Sequence, residues 1–119
     1  ALAAERALGR VPEEMPRNNP GFDIRSTDPA DPLAHRYYLE VKGRIAGSNT
    51  FTITNSEINF AQNHKDTHRL VLVSVHPDGP EFDEVRYVTH AFDDMEASMS
   101  THSRNEKWSH YWGRGGAPV

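Results

Sequence analysis

The sequence contains no cysteine, which excludes disulfide bonds, thiolate metal sites and a cysteine nucleophile. It also lacks any apolar run of the roughly 20 residues that a membrane-spanning helix requires. The first ten residues carry charges inside an amphipathic helix pattern, which is not the pattern of a secretory signal peptide. Together these absences predict a cytoplasmic protein that makes no use of a membrane.

The chain also has no excess of basic over acidic residues. The chain holds 13 lysine and arginine residues against 17 acidic ones, a formal net charge of -4. Proteins that grip the phosphate backbone usually present a basic face, so this balance counts against nucleic-acid binding. The objection is limited, because a carboxylate cluster that holds a divalent cation attracts phosphate more strongly than its formal charge indicates.

The length of the chain sets the number of domains. At 119 residues it can bury one hydrophobic core but not two independent ones. We therefore expect a single domain over residues 1–119. The sequence begins inside a helix pattern and ends in GRGGAPV, which resembles a linker. Both features lead us to expect a domain excised from a larger protein.

The periodicity of apolar residues indicates an α/β fold. Helices are predicted over residues 1–9 and 55–65, and strands over residues 22–25, 35–44, 69–75 and 84–90. The segment after Gly43 either continues the sheet or returns as a hairpin, with a bend near Gly47. Beyond Phe92 the pattern becomes too irregular to assign elements.

Two predicted strands carry the residues that hydrolysis of a phosphodiester would need. Asp23 alternates with apolar neighbours in the first strand, and Glu40 does the same in the second. If these strands pair, both carboxylates can hold one divalent cation, with the backbone carbonyl of Val41 as a further ligand. Lys42 lies on the same strand face as Glu40, where its ammonium can stabilise charge on the phosphate.

Other side chains are weaker candidates for the same site. Glu5, on the first helix, is a further candidate metal ligand from across the site. Arg44 and Gln62 are candidate substrate contacts. Glu57 fits a capping box with Thr54 at the start of the second helix, and we assign it that role in preference to metal binding.

Histidines and late aromatic residues offer two alternative sites. His64 and His68 have the spacing of a helical zinc pair, but no third ligand has a fixed spacing, which argues against zinc. Trp108, Tyr111 and Trp112 can stack on the bases of a single strand. We favour instead the interpretation that they cover a small core or an interface.

Four segments carry a resemblance to a known family: GFDIRS at residues 21–26, YYLEVKGR at 37–44, TNSE at 54–57 and LVLV at 70–73. Over roughly residues 2 to 90 the chain resembles the NO VEIN C-terminal domain family, whose members are similar to Mrr-like PD-(D/E)XK restriction-type nucleases. The resemblance implies a restriction-endonuclease-like core with a mixed central β-sheet flanked by helices. It also implies that Asp23, Glu40 and Lys42 are the aspartate, the second acid and the lysine of the motif. Phe22 stands where the superfamily motif has proline.

The function that this resemblance implies is a Mg²⁺-dependent endonuclease, with Mn²⁺ as an alternative cation and DNA as substrate. Members of the family are found beside helicase-like or restriction-associated domains, so a helicase or ATPase domain of the parent chain is the expected partner. A homodimer would allow both strands of a duplex to be cut. The alternative is a catalytically silent module that binds nucleic acid or a protein. A purely structural domain would hold Lys42 buried in an ion pair, without an open cleft.

Overall fold

The computed structural model describes residues 1–19, 21–31, 33, 35–45, 48–95 and 103–119, with the side chain of Ile45 excepted. The predicted bend at Gly47 lies outside the described residues. The elements follow the order α1 (Leu2–Ala7), β1 (Val11–Glu14), β2 (Ile24–Thr27), β3 (Arg36–Ile45), β4 (Thr50–Thr54), α2 (Asn55–Asn63), β5 (His68–Val75), β6 (Glu84–Thr89), β7 (Ser103–Lys107) and α3 (Trp108–Arg114). A short 3-10 helix, Pro80–Phe82, precedes β6.

A five-stranded mixed sheet in the order β1-β2-β3-β5-β6 forms the centre of the fold. Strands β1, β2 and β3 are antiparallel neighbours, as are β5 and β6. The β3–β5 pair is parallel, and parallel neighbours need a crossover connection, which contains α2. The predicted α/β class with a mixed central sheet is therefore confirmed.

The predicted elements match the structure best where their periodicity is strong. Both helices and the strands around residues 36–45, 68–75 and 84–89 are present. The first predicted strand is displaced, because β2 begins at Ile24 and Asp23 directly precedes it. Strand β1 was not predicted, because it contains Pro12 and two glutamates, residue types that are rare in strands.

The segment after β3 forms neither of the two structures that the sequence allowed. Strand β4 leaves the main sheet and pairs with β7 in a separate two-stranded antiparallel sheet. Its partner has the sequence SRNEK, which has little strand propensity and lies about fifty residues away. Long-range pairing of this kind leaves no local pattern, so the sequence could not predict it.

Apolar side chains cover both faces of the main sheet. The α1 face carries Ile24, Leu39, Val71 and Tyr87, packed against α1. On the opposite α2 face, Leu70 and Leu72 meet residues of β4, α2 and α3. Burial on both faces explains why β5 reads as a continuous apolar run in the sequence.

The C-terminal region completes the core of the α2 face. Trp108 is 1% exposed and Tyr111 is 3% exposed, as their assignment to a small core predicted. Trp112 stacks on Trp108 at a ring-centroid distance of 5.6 Å. The GRGGAPV segment is not a free linker at Gly116, which exchanges two backbone hydrogen bonds with Tyr87 of β6.

Gly21 occupies a backbone conformation that other residues rarely adopt, with φ of 96°. A Cβ added there would lie 2.9 Å from Cβ and Cγ of Phe60. We expect Gly21→Ala to lower the free energy of unfolding by about 2 kcal/mol, from the left-handed backbone and the overpacking together. Urea denaturation measures this change. In the matched variant Gly113→Ala, where no atom of the described residues lies within 4 Å of the added Cβ, we expect no loss, and equal losses in both variants would contradict this explanation.

His68 is buried at the start of β5, and its Nε2 has no hydrogen-bond partner in the described part of the chain. Burial, together with the nearby charge of Arg69, lowers the pKa of His68 to about 4. His64 donates instead from Nδ1 to the Phe60 carbonyl. Across the ranges that the structure describes, no group of three or more His, Cys, Asp or Glu side chains is placed to hold a metal.

The buried imidazole of His68 makes the stability depend on acid. The unfolded chain takes up this proton near pH 6.5, whereas the folded chain does so only near pH 4. The contribution of His68 to the free energy of unfolding should thus fall by about 3 kcal/mol as the pH falls from 6.5 to 4. In denaturation curves the wild type should therefore lose about 3 kcal/mol relative to His68→Leu over this range, and the exposed control His110→Gln should follow the wild type. A difference between His68→Leu and the wild type that stays constant with pH would contradict this role of the buried imidazole.

None of the helices in the described part of the chain is both long and apolar enough to cross a membrane.

Candidate active site

Asp23 is fixed at the point where β2 stops pairing with β3. Its backbone N–H donates to the Leu39 carbonyl at 2.8 Å. Beyond this point the Asp23 side chain replaces the β2 backbone as the partner of β3, because Oδ2 of Asp23 accepts a hydrogen bond from the N–H of Val41 at 2.8 Å. This exposed carboxylate is therefore held against β3 beside Glu40.

The same edge exposes the backbone of Val41. In a strand, the N–H and C=O groups of one residue point toward the same neighbouring strand. Since the N–H of Val41 faces Asp23, its carbonyl faces the edge that β2 has left. The predicted carbonyl ligand thus lies on the same edge of β3 as the aspartate.

Glu40 lies on the α2 face of β3, opposite Leu70 of β5, and is 2% exposed. Its Oε1 is 3.1 Å from Nζ of Lys42, and its Oε2 is buried with no hydrogen-bond partner in the described part of the chain. Burial raises the pKa of Glu40 to about 10, with further contributions from the hydrogen bond to Glu57 and the charge of Asp23, against the opposing charge of Lys42. Without a cation, Glu40 therefore retains its proton at neutral pH.

Lys42 lies between two acidic side chains. Its Nζ is 3.3 Å and 3.4 Å from the two carboxylate oxygens of Glu57, in addition to the contact with Glu40. Burial acts to lower the pKa of Lys42, but its contacts with Glu40 and Glu57 outweigh burial and raise the pKa. The ammonium is therefore charged and held in a defined position.

Glu57 has two roles, of which the sequence indicated one. The predicted capping box is confirmed, because Thr54 Oγ1 accepts the N–H of Glu57 and the Thr54 N–H donates to Oε1 of Glu57. Burial alone would raise the pKa of Glu57, but the hydrogen bonds from Glu40 and Thr54 and the charge of Lys42 lower it. Its contact with Lys42 depends on the parallel β3–β5 pairing that places α2 across β3, which no spacing in the sequence reveals.

The structure does not bring Glu5 to this site. Its carboxylate is fully buried and accepts hydrogen bonds from Arg10 at 3.2 Å and 3.3 Å and from the Tyr87 hydroxyl at 2.6 Å. Tyr87 belongs to the α1 face, whereas Glu40 lies on the α2 face. The prediction that placed Glu5 across the site is corrected, because Arg10 and Tyr87 bind its carboxylate on the other side of the sheet.

The two predicted substrate contacts are also engaged elsewhere. Gln62 donates from Nε2 to the carbonyls of Phe92 and Met95, so it ties α2 to the segment after β6. Arg44 donates to the Ser48 carbonyl at 2.7 Å, and its guanidinium lies 4.9 Å from the ring centroid of Trp108. Both side chains serve internal packing in the structure rather than lining an open surface beside Asp23.

An open groove of about 720 Å³ runs along the exposed edge of the site. Asp23 and Val41 lie in its wall, together with α1 and the Met15–Arg17 segment. Two exposed arginines, Arg6 and Arg17, also line it, and their charge is balanced by Glu14 and Asp23 in the same lining. Lys42, which is paired with Glu40 and Glu57 on the other face of β3, is not among the residues that line this groove, so the groove leaves the purely structural alternative open.

The oxygen atoms at this edge of β3 suit a hard divalent cation that takes only a few of its ligands from the protein. Magnesium is commonly held by one or two carboxylates, with water and phosphate completing its shell. Oxygen donors of that kind are Asp23, the Val41 carbonyl and Oε2 of Glu40, for which the described ranges offer no hydrogen-bond partner. A buried carboxylate oxygen without a hydrogen-bond partner is the feature that a cation would satisfy.

The protonated Glu40 has a measurable consequence for stability. Because its pKa is about 10 in the folded chain and near 4.5 when unfolded, the folded state holds an extra proton between these values. The contribution of Glu40 to stability is therefore greatest below pH 4.5 and falls by up to about 1.4 kcal/mol per pH unit toward pH 10, so a decline is expected above pH 6.5, where His68 no longer opposes it. Glu40→Gln should remove this decline in metal-free denaturation curves. The exposed control Glu13→Gln should keep it, and a decline unchanged in Glu40→Gln would contradict a buried carboxyl.

The chain resembles known proteins in both sequence and fold. The family model described as Protein NO VEIN, C-terminal matches residues 1–88, which confirms the resemblance seen in the sequence. No curated protein matches the chain. Among solved structures, a Holliday junction resolvase from the archaeal hyperthermophile Archaeoglobus fulgidus is similar, with a TM-score of 0.53 and 12% identity over 98% of this chain and 91% of that one. At this identity the likeness shows the fold, which is restriction-endonuclease-like.

Proposed function

Because this chain belongs to the family described as Protein NO VEIN, C-terminal, and has a restriction-endonuclease-like fold, we propose that it is a metal-dependent endonuclease domain that hydrolyses DNA phosphodiester bonds. One observation carries the proposal. The carboxylate of Asp23 accepts a hydrogen bond from the Val41 N–H beside the buried Glu40. One carboxylate oxygen of Glu40 has no hydrogen-bond partner among the described residues, and the other lies 3.1 Å from the ammonium of Lys42.

Asp23, Glu40 and the Val41 carbonyl would hold Mg²⁺, or Mn²⁺ in its place. Such a cation, when bound, polarises the phosphate and lowers the pKa of an attacking water. Glu40 must release its proton to act as a ligand, so cation binding should strengthen as the pH rises. Lys42 remains charged and stabilises negative charge that develops on the phosphate oxygens, while Glu57 holds the ammonium in position.

Several finer features belong to the same proposal. The similar structure is named a Holliday junction resolvase, which supports DNA as the substrate of this chain. Each copy offers one candidate centre, so cutting both strands of a duplex would take a homodimer or two successive nicks. A helicase or ATPase domain of a longer parent chain, as in restriction-associated proteins, would supply opened DNA to the site.

A cleavage assay tests this function. Supercoiled plasmid and labelled single-stranded DNA are incubated with the protein in Mg²⁺, in Mn²⁺ and in EDTA. We expect nicked plasmid or shortened strands only where a divalent cation is present. Absence of cleavage of every substrate with either cation, at protein concentrations well above that of the DNA, would exclude the endonuclease function.

The Lys42 cluster favours a second candidate, a silent module that binds nucleic acid or a protein partner. In the metal-free chain Lys42 is paired with Glu57 and with Glu40, which itself carries a proton. A module that never binds a cation would retain this arrangement permanently. Calorimetric titration with Mn²⁺ separates the two candidates: binding that Asp23→Ala abolishes supports the nuclease, and no binding to the wild type supports the silent module.

A further inference from the structure

A column of aromatic rings lies beside the candidate active site. The rings of Phe22 and Phe60 have centroids 4.7 Å apart and are tilted by 33°, and those of Phe60 and His64 are 4.0 Å apart and stacked within 17°. Tyr38 meets all three rings edge-on, at centroid distances of 5.0, 5.1 and 4.9 Å. We call these four side chains the aromatic column, with Phe22 at one end.

The column adjoins the acidic residues along the chain. Phe22 directly precedes Asp23, and Tyr38 lies two residues before Glu40 on the same face of β3. Phe60, in the middle of the column, lies on α2, the helix that covers this face. The Phe22 end therefore lies one residue along the backbone from the carboxylate that we assign to the cation.

The column is ordered but is not part of either core cluster. All four rings are half-buried, and none belongs to the buried clusters of the α1 or α2 face. Gly21 packs directly beneath Phe60, and His64 donates from Nδ1 to the Phe60 carbonyl at 2.9 Å. Rigid aromatic surface that remains partly open beside a phosphate site is suited to stacking of a base, because every base presents a π-face.

We propose that the aromatic column binds an unpaired nucleobase, which extends the stack at Phe22 while the adjoining phosphate lies at Asp23 and Glu40. This inference rests on the proposed function and specifies its substrate class, single-stranded or locally opened DNA. In an intact duplex the base is already stacked and paired, so reaching the column would require flipping it out at a cost of a few kcal/mol. Stacking also makes recognition tolerant of sequence.

The experiment uses the whole chain and a single-stranded oligonucleotide that carries 2-aminopurine, whose fluorescence is quenched when it stacks. Protein is titrated into the probe in low salt, in EDTA and in Mg²⁺, and the Mg²⁺ samples are also run on a denaturing gel. We expect saturable quenching by the wild type in both conditions. Phe22→Leu should weaken binding at least about 5-fold, the loss expected for one base–aromatic contact.

Matched variants distinguish stacking from a structural role of the column. Phe82→Leu removes a phenylalanine that is 56% exposed on the 3-10 helix and should bind like the wild type. Thermal denaturation checks that Phe22→Leu is folded, and Tyr38→Leu provides a second test within the column. Equal affinity of Phe22→Leu, Tyr38→Leu and wild type, or equal affinity for duplex and single strand, would overturn the inference.

The outcomes separate the two proposals. Quenching that depends on Phe22 without any cleavage supports base stacking and counts against the endonuclease function. Cleavage in Mg²⁺ without quenching retains the endonuclease and overturns the stacking of a base on the column. Loss of both signals contradicts both proposals independently, because one is read by fluorescence in EDTA and the other by the gel in Mg²⁺.

Discussion

Replacing Lys42 with Met should lower the rate of Mg²⁺-dependent DNA cleavage by about 100- to 1,000-fold, the usual effect of removing one preorganised group that stabilises transition-state charge. The ammonium is held by Glu40 at 3.1 Å and by Glu57 at 3.3 Å, so the change removes a fixed positive charge and not a mobile one. Cation binding should persist, because Lys42 is not among the proposed oxygen donors.

Asp23→Asn should show the complementary pattern. The amide keeps the size of the side chain and an oxygen that can accept the Val41 N–H, but it loses the charge that attracts a cation. We expect both Mn²⁺ binding and cleavage to be lost while the thermal denaturation midpoint changes little. Single-turnover cleavage and calorimetry on the same preparations measure the two effects separately.

An exposed lysine outside the site provides the control for Lys42→Met and Asp23→Asn. Lys65 is exposed on the loop after α2, and Lys65→Met should cleave at the wild-type rate. Cleavage by Lys42→Met within about threefold of the wild type would show that the lysine is structural. Retained Mn²⁺ affinity in Asp23→Asn would place the cation away from this edge of β3.

The second large effect concerns stability. Trp108→Ala should lower the free energy of unfolding by about 3 to 5 kcal/mol, because a large buried aromatic side chain leaves a cavity when it is truncated. Trp108 is 1% exposed, contacts Phe51 edge-on at a centroid distance of 6.4 Å and lies under the guanidinium of Arg44. It joins α3 and the two-stranded sheet to the core of the α2 face.

Urea denaturation with Trp112→Ala as the comparison tests this assignment. Trp112 is only half-buried and stacks on the outer side of Trp108, so its truncation should cost clearly less. A loss below about 1 kcal/mol for Trp108→Ala would mean that residues after β6 do not belong to the folding unit. A full loss would show that the domain extends beyond residue 88, where the family match ends.

The sequence predicts the parts of the fold that have local patterns. The apolar run of β5, the alternation of β3 and the capping box of α2 each identify an element, because burial imposes a period on the chain. The polar strand β7 and the proline-containing β1 have no such period, and both owe their structure to a partner strand. The same limit explains why the β4–β7 pairing was not predicted.

The candidate site, likewise, could be predicted from the sequence only where a local pattern exists. Strand alternation places Glu40 and Lys42 on one face, and the structure brings Asp23 to the same edge of β3. Glu5 could not be assigned, because its inward orientation depends on Arg10 and on Tyr87 eighty-two residues away. The aromatic column likewise assembles from three separate segments, which only the tertiary structure brings together.

The central claim is that Asp23 and Glu40 hold one divalent cation between them. Crystals of the protein grown or soaked with Mn²⁺ at pH 8 test it directly through anomalous diffraction. The account predicts one strong anomalous peak within coordination distance of both carboxylates and of the Val41 carbonyl. A map at full Mn²⁺ saturation with no peak there, and with Lys42 still bridging Glu40 and Glu57, would contradict it.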